Sequence, residues 1–67
     1  MNSFKIIRRP DVEAITGLSR SSIYEKMDKG IFPRPIKLGK RSVGWLQHEV
    51  AEWVKNRVSV TREGGVQ

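Results

Sequence analysis

The stretch TGLSRSSIYEKMDKGIFPRP, residues 16–35, holds a short helical pattern bounded by glycine at both ends, then a proline-flanked run that cannot continue it. Ser19 is a good N-cap, because its side-chain oxygen can accept from the free amides of Ser21 or Ser22 in the first turn. The helix it starts is expected over residues 20–29, with Ile23 and Met27 on its inner face and Tyr24 flanking them. Gly30 ends it. Arg20, Ser21, Ser22 and Glu25 then point largely outward, with Lys26 and Lys29 further along. Beyond Gly30, each of Pro33 and Pro35 drives the residue before it toward an extended backbone.

Reading outward toward the N-terminus, Pro10 suits the first turn of a helix, and Asp11 and Glu13 suit its positive end. Val12 and Ile15 share a face. Thr16-Gly17 ends this helix, with Gly17 supplying a left-handed exit, and the apolar Leu18 in the turn reads as a plug between the two helices. Helix, short glycine-containing turn, helix is the spacing of a helix-turn-helix. Lys5-Ile6-Ile7 is a candidate edge strand ahead of it. On the other side, Ile36–Leu38 and Arg41–Trp45 read as a hairpin around Gly39-Lys40. From Leu46, LQHEVAEWVKNRV is amphipathic, with Leu46, Val50, Trp53, Val54 and Val58 along one stripe. The expected fold is mainly α with a small β-hairpin: a winged helix-turn-helix over residues 1–58, closed by a C-terminal helix and followed by a flexible tail over 59–67.

With 67 residues the chain makes one small domain, whose net stability is expected at roughly 3–5 kcal/mol. It has no cysteine, so disulfides and cysteine-based zinc sites are excluded. His48 is the only histidine and sits beside Glu49 with no second histidine, so no metal site is expected. MNSFKIIRRP lacks the apolar core of a signal peptide and no run reaches membrane-spanning length, which predicts a soluble, cytoplasmic protein that does not enter membranes. The net charge is +6. Residues 1–44 carry ten Lys and Arg against Asp11, Glu13, Glu25 and Asp28, while residues 45–67 balance Lys55, Arg57 and Arg62 against Glu49, Glu52 and Glu63. A basic surface confined to the helix-turn-helix and hairpin points to a polyanion, nucleic acid foremost.

A helix fits the major groove of duplex DNA, where residues near its N-terminal end reach base edges. Arg20 can make a bidentate contact to guanine, and Ser21 and Ser22 are short enough to allow close approach. Glu25 can accept from a cytosine amino group, while Lys26 and Lys29 supply charge; the bland alternative is an ordinary solvated helix face. Ser19 reads first as a structural cap and only second as a backbone contact. Tyr24 is either a flank of the core or a phosphate contact through its hydroxyl. The hairpin carries Arg34, Lys37, Lys40 and Arg41 with no acid between Pro33 and Trp45, and its tip suits a minor groove or a line of phosphates. Strand alternation leaves open whether Lys37 and Arg41 share a face. Arg8 and Arg9, ahead of the first helix, can touch backbone phosphates or serve as solubility charge. Trp45 and Trp53 lie on apolar positions, which favours core packing over base stacking. No base is placed to activate a serine and no phosphate-cradling glycine loop occurs, so neither an enzyme nor a cofactor is expected.

The ordered set ITGLSRSSIYEKMDKGIFPRPIKLGKRSVGWLQHEVAEWV resembles the AlpA family of prophage-encoded regulators, relatives of excisionases and of MerR-type winged-helix domains. The resemblance rests on the TGLSRSSIY turn and helix, the GIFPRPIKLG approach to the wing, and Trp45 followed by EVAEWV, and it spans roughly residues 6–57. It implies a small DNA-binding protein of a prophage or genomic island. Such a protein regulates transcription of an integrase, or acts as an excisionase that biases site-specific recombination with a phage-type integrase as partner. Carried over by position, the family's contacts fall on Arg20, Ser21, Ser22 and Tyr24 in the recognition helix and on Lys40 and Arg41 in the wing. One domain of this size covers only about 600–1,000 Å² of DNA, so several copies side by side are expected. Two other classes stay open: a protein-interaction module that modulates an integrase or signalling protein, and an RNA binder, which requires exposed aromatic rings.

Overall fold

A computed structural model describes residues 4–63. Strand β1 (Ile6–Ile7) leads into helices α1 (Arg9–Thr16) and α2 (Arg20–Asp28), followed by strands β2 (Ile36–Lys37) and β3 (Val43–Leu46) and helix α3 (Gln47–Glu63). The winged helix-turn-helix architecture expected from the sequence is the one observed, and the edge strand expected ahead of α1 is present. It is β1, which pairs with β3 to give a three-stranded antiparallel sheet in the order β1-β3-β2.

Local chemistry sets both helix junctions. Pro10 sits in the first turn of α1, and Gly17 closes the helix in the left-handed region at φ 75°, its amide reaching the Glu13 carbonyl at 2.7 Å. Thr16 Oγ1 donates to the Val12 carbonyl and accepts from the Leu18 amide, so one side chain bridges the end of α1 and the turn. Ser19 caps α2 as expected, accepting from the Ser22 amide at 3.2 Å. At the other end Gly30 is left-handed, its amide bonds the Met27 carbonyl and the Ile31 amide bonds that of Lys26. These two crossed bonds form a Schellman close, which satisfies carbonyls that the helix leaves free and turns the chain sharply away.

The core is Ile7, Val12, Ile23, Phe32, Trp45 and Val50, with Leu18, Met27, Val43 and Trp53 packed around it. Directly paired residues share a sheet face, so the pairs Ile7–Trp45 and Lys37–Val43 lie on one side, and Ile6–Leu46 and Ile36–Gly44 on the other. The first side packs on the helices. The proline-flanked segment is held by both indoles: Trp53 Nε1 donates to the Ile31 carbonyl at 2.7 Å and Trp45 Nε1 to that of Pro33 at 3.1 Å. Between them Phe32 is buried, its ring edge-on to Trp53 with centroids 4.9 Å apart.

Three sequence expectations shift. Ile15 is 42% exposed, because α1 is only eight residues long and packs through Val12. Leu46 belongs to β3 rather than to α3. The final helix continues through residues 59–63, where the chain has no glycine or proline before Gly64, and Val58 lies past the core at 44% exposure. The remainder of the expected tail, residues 64–67, lies outside the described residues.

Gly44 shows why β3 can occupy the middle of the sheet. A Cβ there would run into the Ile6 side chain, and would meet the Ile7 carbonyl at 3.0 Å and Leu38 Cδ1 at 3.2 Å. The carbonyl belongs to the β1–β3 ladder and has little room to yield. Gly44→Ala is therefore expected to cost about 1–3 kcal/mol as an overpacked site, read as a lower urea midpoint with an unchanged slope.

Candidate nucleic-acid interface

The wing tip is shaped by the Leu38 and Gly39 amides, which both reach the Ser42 carbonyl, at 2.7 and 3.2 Å. This turn leaves Lys40 and Arg41 exposed. Arg41 returns toward the body of the protein, where it lines a groove of about 250 Å³ with Arg8, Arg9 and Tyr24 over a floor of Pro10, Val43 and Trp45. Three elements far apart in sequence converge here: the approach to α1, the half-buried flank of α2 at Tyr24, and the wing. Three arginines and a tyrosine lining one opening suit the oxygens of a phosphate diester, which accept several hydrogen bonds at once.

Each contributor has its own electrostatic setting. Arg9 Nε donates to Glu13 at 3.0 Å, one turn along α1, and is thereby partly neutralised. Arg8 and Arg41 have no ion-pair partner among the described residues. The Arg20 guanidinium lies over the Tyr24 ring, 5.5 Å from its centroid, which holds both side chains at the N-terminal half of α2. Lys37 pairs across the sheet with Val43, so it stands on the same face as the groove and shares that side with Arg41.

Other sequence-selected residues lie apart from this convergence. Glu25 pairs with Lys29 at 3.5 Å, leaving the C-terminal half of α2 with two mutually offset charges. Lys26 turns to the opposite side of α2 and lines a different, apolar groove against α3. Arg34 faces the first turns of α3, in a hollow it shares with His48, Glu49 and Glu52. Ser19 Oγ, already the N-cap, donates to Ser22 Oγ at 3.1 Å, so both hydroxyls are engaged within the helix start while Ser21 is exposed. Among the described residues no group of three His, Cys, Asp or Glu could hold a metal ion, and no helix is long and apolar enough to cross a membrane.

All four polar members of the groove are legible in the sequence, but its floor is not. The signal was available in the alternation of Val43 and Trp45, which places both on the inner side of β3; what it lacked was the β1 pairing that carries Arg8 to the same place.

Comparison with known proteins reaches the same region. The family described as prophage CP4-57 regulatory protein (AlpA) matches residues 5–58, a span that contains every residue of the groove. The uncharacterized protein ORF88 of Enterobacteria phage P4 is 42% identical over 60 residues, covering 90% of this chain and 68% of that protein. The DNA-binding transcriptional activator AlpA of Escherichia coli K12 is 34% identical over 62 residues, covering 84% of this chain and 89% of that protein.

Proposed function

The chain belongs to the AlpA family of prophage regulatory proteins, and from that premise we propose that it binds double-stranded DNA sequence-specifically and regulates transcription from phage or genomic-island DNA. The N-terminal half of α2 enters the major groove, where Arg20 and Ser21 read base edges. The wing, through Lys40, Arg41 and Lys37, follows the adjacent backbone or minor groove. The observation that carries this reading is the convergence of Arg8, Arg9, Arg41 and Tyr24 on one opening beside α2. It supplies the phosphate clamp that sets the helix in register. The activator named among the relatives supports the transcriptional role.

An excisionase role uses the same surface. Copies on closely spaced sites would bend the duplex so that a phage-type integrase assembles for excision, and no chemistry is required of this protein. Selecting bound duplexes from a random pool at moderate salt, followed by footprinting, separates the roles. Closely spaced direct repeats filled cooperatively support the excisionase reading; a lone site or an inverted repeat supports a simple regulator. No enrichment over random sequence would sink specific reading and turn attention to a purely protein-directed role.

Within the selected site, Arg20→Ala is expected to cost about 1–3 kcal/mol, the value of one bidentate base contact. The loss should fall on the selected sequence and leave binding to unrelated duplex nearly unchanged. An equal loss on both would assign Arg20 to the backbone instead of the bases.

A further inference from the structure

A second groove lies on the other side of α2 and shares no lining residue with the arginine groove. It runs between the α1–α2 turn and the C-terminal half of α3, with a volume of about 450 Å³. Its floor is Leu18, Trp53, Val54 and Val58. Its charged members are Lys26 on the α2 wall and Arg57 and Arg62 on the α3 wall, and no acid lines it. Among the described residues none of these three cations has an ion-pair partner. From Trp53 to Arg62 the α3 wall extends about 14 Å, the length of about two and a half helical turns.

We propose that this groove docks an acidic amphipathic helix of a partner protein. An apolar strip on the incoming helix would cover Leu18, Val54 and Val58, and carboxylates on its two flanks would meet Lys26 on one side and Arg57 and Arg62 on the other. An apolar floor between cationic walls favours an acidic segment and selects against a basic one, since a cation placed on either wall meets like charge. Because the two grooves are separate, the partner binds whether or not the protein is on DNA, and the proposal goes beyond the DNA reading without depending on it.

The test uses the full chain without DNA. The probe is a synthetic peptide of about 15 residues, long enough to form a helix on binding, with leucines at helical spacing and glutamates on the flanks. Two controls accompany it: a scrambled peptide of identical composition and a version with lysine for every glutamate. Backbone amide shifts should change at Leu18, Lys26, Val54 and Val58, and the R57E/R62E double variant should weaken binding about tenfold while melting at an unchanged temperature. The scrambled and lysine peptides should bind at least as weakly as the variant does. The proposal is overturned if the shifts fall elsewhere, if any control peptide binds equally well, or if the double variant retains full affinity. It is overturned equally if the same amides shift with protein concentration alone, which would make a second copy of this chain the occupant. Failure of DNA selection would leave every one of these outcomes standing.

Discussion

Trp45→Ala is expected to leave the chain largely unfolded at room temperature. Trp45 has no exposed surface, occupies the central strand between β1 and β2, and packs with the rest of the core. Its indole N–H also holds the Pro33 carbonyl at 3.1 Å. Removing a buried tryptophan side chain costs about 3–5 kcal/mol, which matches the whole stability of roughly 3–5 kcal/mol expected of so small a core. Far-UV circular dichroism should show little cooperative transition for this variant. Trp45→Phe separates packing from the hydrogen bond. It keeps an aromatic ring but leaves the Pro33 carbonyl without its donor, for a cost of about 1–3 kcal/mol, and should fold with a lowered melting temperature. A cooperative melt for Trp45→Ala close to that of the parent would show that the sheet and helices hold together without this anchor.

The second large effect falls on DNA binding. Arg8 precedes α1 and Arg41 lies in the wing, yet both line one groove, and neither is ion-paired among the described residues. Each phosphate neutralised contributes about 0.9 to the slope of log affinity against log salt. The R8A/R41A double variant should therefore flatten that slope by about 1.8, which at ~0.1 M salt corresponds to about a 60-fold weaker complex. The loss should be similar on specific and unrelated duplex, the opposite of the pattern expected for Arg20→Ala. R9A should do less than either single change, because Arg9 is already held by Glu13 at 3.0 Å. Affinities titrated across a salt series check all three variants together. An unchanged slope for the double variant would remove the arginine groove from the DNA surface and leave the wing tip and α2 to act alone.

The two helices and their turn were legible because their signals are local. Ser19, Gly17 and Gly30 act on amides and carbonyls within a few residues, and the structure shows each in its expected role. Hairpin composition likewise located the wing, since glycine at the turn and alternating apolar residues need no distant partner to be read. Harder to see was Phe32. It stands between Ile31 and Pro33 in a stretch whose periodicity resembles neither helix nor strand, and it is buried because two tryptophans from β3 and α3 bind the carbonyls on either side of it.

The candidate site divides along the same line. Caps, turns, helical periodicity and charge are properties of neighbouring residues, so the helix-turn-helix, the wing and the excess of cations over acids in the first 44 residues are all legible without the fold. Which cations act together follows from long-range packing. Pairing of β1 with β3 carries Arg8 to the wing, while the rotation of α2 sends Tyr24 into one groove and Lys26 into another. The turn after Gly30 carries Arg34 away to the acidic start of α3. Charge in a sequence has sign and number but no direction. Direction comes from strand pairing and from the side of each helix that the core claims, and both are long-range contacts.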